Sequence, residues 1–402
     1  MRRVYLDNNA TTPVDPRVVE AMKPYWLEGF GNASSIHWYG QRARAAVEEA
    51  REQVARLINA QPAEIVFTIG GTESDNAAIR GVVLAARLHS SRAARHVITT
   101  TIEHPAVLYT VKALEAQGVD VTYVQVSEGG TVDPDDVRKA IRPQTVLITV
   151  MHANNELGTL EPIEEIGRIA REHNIPFHTD AVQSTGKATV DVEQFGISLL
   201  SLSAHKLHGP KGVGALYVRR GTSLQPLLYG GHHERDRRPG TENVPAIAGL
   251  GKAAELAGEM MKVDGARLQA LRDRLEQGLL EKIPYLSVNG DRAHRLPGTT
   301  NLGFEYIEGE GFVMALDLEG VACSTGAACA SGSLEPSHVL SAIGKTFEQA
   351  RSAVRFSLSR FNTEADIDYT LEVVPKVAER LRALSPDYPG EPSSLRPAVA
   401  TR

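Results

Sequence analysis

A lysine directly behind an apolar, strand-like run is an unusual place for an ammonium group. Lys206 stands there, after ISLLSLS (197–203), in Ser203-Ala204-His205-Lys206; taking such a charge out of water is costly. One productive use of such a site is an amine nucleophile that forms a Schiff base. Asp180 ends a second apolar run, IPFHTD (175–180). A carboxylate there stays charged only beside a cation or strong donors, so it reads either as a satisfied N-cap or as the partner of a cationic ligand nitrogen. Behind EIVFT (64–68) comes Gly70-Gly71-Thr72-Glu73-Ser74-Asp75, opening a helix. Its glycines admit a close approach and the helix N-terminus offers unpaired N–H groups, which suits phosphate. Alone, the same turn is an ordinary capped junction; it is neither a GK[ST] loop nor GxGxxG. Taken together, a phosphate cradle, a buried aspartate and a strand-end lysine suggest pyridoxal 5′-phosphate (PLP). That cofactor needs an anion site, a carboxylate on its ring nitrogen and a lysine on its aldehyde.

Other strand ends add company. HVITTT (96–101) leads to Ile102-Glu103-His104-Pro105, TVLITVM (145–151) to His152-Ala153-Asn154-Asn155-Glu156, and Asp180 to Gln183. The stretch from Cys323 to Ser333, which contains Cys329, is built of small residues and reads as a mobile loop. A free cysteine is usually a small buried apolar residue, but an exposed travelling thiol suits a nucleophile. Arg355, in VRFSLSR, is either a salt-bridged strand residue or a planar clamp for a carboxylate. His232-His233-Glu234 and the pair His205/His208 lack the HExxH spacing, and no metal is assigned to them.

These residues need a frame that gathers strand ends. Short apolar runs alternate with amphipathic helical stretches such as QRARAAVEEAREQVARLI (41–58) from about residue 40 to residue 220. Such alternation predicts an α/β fold with a mostly parallel central sheet covered by helices, with ligands at the carboxyl ends of its strands. Beyond residue 250 a long charged helix (252–283), which Gly265 could kink or break, precedes the strands LSVN, TTNLGF and VRFSLS, as in a smaller α+β domain. The expected division is a large domain over 15–255, a small one from 1–14 plus 256–385, and a frayed Pro- and Ser-rich tail over 386–402. With Lys+Arg 43 against Asp+Glu 49, the net charge of −6 over 402 residues argues against general binding to nucleic acid or an anionic membrane. Two cysteines cannot build a disulfide framework in such a chain. No signal-peptide pattern and no apolar run of about 20 residues is present, so a soluble cytoplasmic protein is expected.

YLDNNATTP, GNASSIHWYG, GGTESDN, TIEHPAV, MHANNELG, HTDAVQ, SAHKLHGPKGVGALY, RPGTEN and STGAACASGSLEPSHVL, in this order, resemble the cysteine desulfurases of the NifS/IscS-like branch. EYIEGEG followed by SGSLEPSHVL leans toward the NifS proteins that supply sulfur for nitrogenase clusters. Ala33, Gly71 and Ala327 depart from commoner choices without removing a reacting group.

The resemblance implies the PLP-dependent transferase fold type I and a role for each matching residue. Lys206 would hold PLP as an internal aldimine and later remove the substrate α-proton. Asp180 would pair with the ring nitrogen, His104 stack on the ring and shuttle protons, and Gln183 meet the ring hydroxyl. Asn155 would lie near both cofactor and substrate. Phosphate contacts would fall on Gly71, Thr72, Ser203 and His205. Thr241 would reach the phosphate of a partner subunit, which implies a homodimer. Arg355 would bind the substrate carboxylate, and Cys329 would take sulfur from L-cysteine as a persulfide, releasing L-alanine. An iron–sulfur scaffold protein (NifU/IscU-like) would be the acceptor, and Cys323 a bystander. A selenocysteine lyase or aminotransferase on the same fold, and a catalytically silent scaffold, are the rival expectations.

Overall fold

Side chains alternate along a strand, and here both faces of the strands are apolar, so each strand feeds two cores at once. Ile65, Phe67, Ile98, Ile148, Leu200 and Leu202 enter one cluster, packed by Val47, Val54, Val137, Ile166, Ile247 and Leu250. Their neighbours Val66, Val97, Leu147, Leu199 and Leu216 enter another, packed by Ala78, Ile79, Val82, Val107 and Val111. The computed structural model describes residues 2–89, 95–325 and 335–390. Among these, a seven-stranded sheet has the spatial order Ile65–Thr68, Gly214–Val218, Leu199–Ser203, Phe177–Asp180, Thr145–Thr149, His96–Thr100, Asp120–Val124. Gly214–Val218 runs against both of its neighbours, and the remaining pairs are parallel. The other six strands therefore point the same way, and the residues following Thr68, Thr100, Thr149, Asp180 and Ser203 emerge on one edge. Register fixes the detail: Asp180 pairs with Ser201, five residues before Lys206.

A second sheet, antiparallel, has the order Ser324–Thr325, Ala353–Ser357, Thr299–Phe304, Leu286–Asn289. Its core holds Leu6, Leu271, Leu275, Leu279, Phe304, Phe312 and Val374. The chain start joins this part: Val4–Tyr5 pairs in parallel with Val321–Ala322.

The long helix begins earlier than its charge pattern indicates and does not break. It spans Val244–Lys282, with the Asn243 side chain accepting the Ala246 N–H. A Cβ added at Gly265 would meet nothing within 4 Å, so no close packing demands that glycine. A helical glycine costs about 1 kcal/mol against alanine. Leu250 and Leu256 in one core, and Leu268, Leu271 and Leu275 in the other, outweigh that, at about 1.5–3 kcal/mol for each large side chain buried. Among the described residues no helix is long and apolar enough to cross a membrane.

Glu276 fastens this helix to the second sheet. It accepts from both terminal nitrogens of Arg295 (2.7 and 3.0 Å) and from the Thr300 hydroxyl (2.7 Å), with the ion pair out of solvent. Removing one member of a buried pair strands the other charge. Glu276→Ala is expected to destabilise by about 3–5 kcal/mol in urea unfolding. The control Lys376→Ala, which breaks an exposed pair with Glu372, should change stability by less than about 1 kcal/mol. Equal effects of the two variants would refute this role for Glu276.

Candidate active site

Where the six co-directed strands end, the loops enclose a cavity of about 640 Å³. Gly71, Thr72, His104, Asn155, Asp180, Gln183, Ser203, His205, Lys206 and Arg355 all line it. Ten residues spread over nearly three hundred positions of sequence thus meet in one hollow.

Lys206 closes the short 3-10 turn Ala204–Lys206 behind the strand Leu199–Ser203. Its Nζ donates to the backbone carbonyls of Asn9 and Ala10 (2.9 Å to the latter). The N-terminal segment is held across the strand ends by further bonds. The Thr12 N–H and hydroxyl both donate to the His205 carbonyl, and the Gln183 amide N–H₂ donates to the Asn9 carbonyl (2.9 Å).

His104 owes its position to Pro105. Proline disfavours a helical residue before it, so His104 stays extended (φ −61°, ψ 147°) and caps Pro105–Glu115, its Nδ1 accepting the Ala106 N–H. Burial lowers the His104 pKa, with Asp180 opposing and Lys206 assisting. The imidazole is therefore neutral at neutral pH, with the proton on Nε2. Asp180 accepts the Val182 N–H at 2.9 Å. Burial raises its pKa, while His104, the Val182 N–H and Lys206 pull it down. Nearby Asp75 is fully enclosed, and burial followed by the Asp180 charge pushes it well above the usual carboxylate range. Of these two carboxyls, Asp75 is pushed further up, because the Val182 N–H and the Lys206 charge act on Asp180.

Arg355 is 2% exposed. One guanidinium nitrogen donates to Asp7 (2.8 Å), another to the Asn155 carbonyl (2.7 Å), and its Nε has no partner. The salt-bridged and the carboxylate-clamp readings are thus compatible: an ion pair orients a cation that still faces the cavity. His205 bonds Thr11 (3.1 Å), and burial together with the Lys206, Lys211 and Lys187 charges takes its pKa down to about 4. Thr241 is exposed and outside this cavity. Cys329 and the tail beyond residue 390 lie outside the described residues. Cys323 is buried, and burial pushes its thiol far up, so it resists ionisation.

Several lining residues carry no obvious signal in the sequence. Asp75 is three positions after Thr72 on one helix, a spacing that places both on one face. Glu156 accepts the Ser337 hydroxyl (2.6 Å), and the His338 Nε2–H donates to the Glu103 carbonyl (2.9 Å), so the segment after residue 334 is fastened to the cavity rim. These partners are distant in sequence, and only the fold introduces them.

The model of the aminotransferase class-V family matches residues 4–370. The chain belongs to that family. Its relatives include a cysteine desulfurase of Nostoc sp., 54% identical over 388 residues, 96% of this chain and 95% of the relative. The cysteine desulfurase IscS of Dictyoglomus turgidum is 52% identical over 385 residues, 96% of this chain and 97% of that one. A solved NifS-like protein superposes with a TM-score of 0.88 at 38% identity, covering 94% of this chain and all of that one. A structure described as SspA in complex with cysteine has a TM-score of 0.79 at 41% identity and covers 90% of this chain and all of its own. The chain is thus a NifS/IscS-like member of the family, with the fold type I of PLP-dependent transferases.

PLP is the cofactor of this class-V family and its desulfurase members, and the residues present fit it. A Cβ at Gly71 would come within 2.7 Å of Val182 Cγ2, so a larger residue at this helix start would need Val182 to shift. The unbonded N–H groups of that first turn suit a phosphate, and Asp180 and Lys206 supply the carboxylate and amine.

Glu103 connects this site to stability. Its Oε1 accepts from the Thr100 hydroxyl (2.8 Å) and the Met151 N–H (3.0 Å), while Oε2 is buried without a partner. Burial, against those two donors, pushes its pKa up to about 8. The folded state therefore holds a proton that the unfolded chain releases at its ordinary pKa near 4.5. Stability from this group is full below that value and is lost as pH rises through about 8. Glu103→Gln keeps an acceptor at Oε1, and thermal unfolding between pH 6 and 9 is expected to show a flatter decline than the parent. An unchanged slope would mean that Glu103 does not titrate in this range.

Proposed function

We propose that the protein is a cysteine desulfurase that takes sulfur from L-cysteine onto Cys329 and releases L-alanine. The observation that carries this reading is the convergence of Lys206, Asp180 and Arg355 on one cavity in a chain of this family. When bound, PLP supplies an electron sink for the pair left at an amino acid α-carbon. Asp180, ionised beside His104 and Lys206, would hold the ring nitrogen proton. Gly71, Thr72, Ser203 and His205 would take the phosphate, and Gln183 and His104 the ring. Arg355 would bind the substrate carboxylate with Asn155 beside it, which orients the α-hydrogen toward the Lys206 amine as base. A thiolate at Cys329 would then attack the substrate sulfur. The new S–S bond forms as the C–S bond breaks, and the carbon fragment gains protons to leave as alanine, so no external oxidant is needed.

The finer readings belong to the same proposal. The protein acts as a cytoplasmic homodimer in which Thr241 serves the partner's site; its exposure away from its own cavity supports this, as do the exposed Trp26, Phe30 and Trp38. The large domain spans 15–255, and the small one 1–14 plus 256–385. An iron–sulfur scaffold protein receives the sulfur, with the nitrogenase pathway favoured by the EYIEGEG and SGSLEPSHVL segments.

Lys206→Ala should abolish the PLP band at roughly 400 nm and the pyridoxyl adduct fixed by borohydride. Cys329→Ala should keep the band and lose sulfide and alanine production from L-cysteine. Undiminished sulfur release in Cys329→Ala would favour the aminotransferase or lyase reading. Arg355→Lys is expected to raise KM for L-cysteine by roughly tenfold or more, because a bidentate charged contact is lost.

A further inference from the structure

Lys187 is a second lysine, next to the cofactor site, that the mechanism above does not use. It lies behind Gln183, lining a small cavity of about 40 Å³ together with Lys206, Asn8, Thr12, His208 and Asp264. Burial first, then the Lys206 and Arg355 charges, bring its ammonium down to about 7. An amine placed at such a cost needs a reason to be there.

The hydrogen bonds supply one. The Lys187 Nζ donates to the Gln183 Oε1 at 3.2 Å, and the Gln183 Nε2 donates to the Asn9 carbonyl at 2.9 Å. Below about pH 7, where Lys187 is an ammonium, its Nζ has no acceptor, and a backbone carbonyl has no donor. The two ends of the Gln183 amide are thus distinguished by chemistry alone. Without Lys187, the Asn9 carbonyl would be the sole polar group biasing this amide among its described hydrogen bonds.

We propose that Lys187 is a positioning residue of the cofactor site: it fixes the Gln183 amide so that an N–H, never the carbonyl, faces the ring hydroxyl of bound PLP. This rests on the reading that Gln183 meets that hydroxyl. The consequence is electronic. An N–H at the ring oxygen stabilises its anion and lowers the pKa of the conjugated chromophore, whereas a carbonyl would repel it.

The test uses the PLP-loaded protein and its apo form, with Lys187→Met, Lys187→Arg, Gln183→Ala and the double variant Lys187→Met/Gln183→Ala. Two readouts are taken: the apparent pKa of the visible band and the Kd of apoprotein for PLP. Lys187→Met should move the band pKa upward by about 0.5 to 1 unit and weaken PLP by about 2- to 10-fold. Lys187→Arg, still a pure donor, should restore both toward the parent. Removing a cation close to Lys206, Arg355, His205 and His208 would also raise the band pKa, which is why the double variant is needed. If orientation is the cause, Lys187→Met adds little in the Gln183→Ala background. A shift of equal size there assigns the effect to charge and overturns the proposal, as does a Lys187→Met protein identical to the parent. If Gln183→Ala itself leaves the band unmoved, the failure lies in the reading that Gln183 meets the ring.

Discussion

The ammonium of Lys206 sits at the carboxyl edge of the seven-stranded sheet, and the surrounding chain is arranged around it. Two carbonyls, of Asn9 and Ala10, receive its protons, and those carbonyls belong to a segment that starts more than two hundred residues earlier in the other core. Desolvating a primary amine without such acceptors would cost several kcal/mol. The N-terminal strand is thus part of the site as well as of the small sheet: it pairs beside Val321–Ala322, crosses over Ser357 through the Asn9 N–H, and then lies across the strand ends.

That crossing makes the two sheets meet where the chemistry is. Arg355 comes from the antiparallel sheet and Lys206 from the parallel one, yet both line the same cavity. Arg355 is held by Asp7 on one side and by the Asn155 carbonyl on the other. A substrate bound to Arg355 would feel any slip between the two parts. The unbroken helix Val244–Lys282, which packs into both cores, opposes such a slip.

Electrostatics inside the cavity follow from burial more than from formal charge. Asp75, Glu103 and Glu156 are all enclosed and all shifted upward by desolvation. Burial raises Asp180 as well, but His104, the Val182 N–H and Lys206 pull it down, the kind of separation between neighbouring acids that lets them take different roles. His104 and His205, lowered by burial, are neutral, so the fixed positive charge near the amine is confined to lysine and arginine.

Much of this was legible in the residues. Apolar runs bounded by polar turns marked the strands to within a residue or two, because a strand buried on both faces has almost no alternative composition. Gly70-Gly71 marked an open helix start. The helix Val244–Lys282 was less legible: Gly265 read as a possible break, and packing into two cores overrode it. Asp75, Glu156, His338 and Lys187 were not marked either, since a buried acid or amine differs from a solvated one only in what the fold places around it. The sequence by itself determined the reacting groups and the strand ends that carry them, because local propensity and chemical type are properties of a residue and its neighbours. Only the tertiary structure decided which carbonyls hold Lys206, which acid is pushed furthest toward its protonated form and which way the Gln183 amide points, because desolvation and hydrogen-bond pairing depend on groups as far as 197 residues away in the chain.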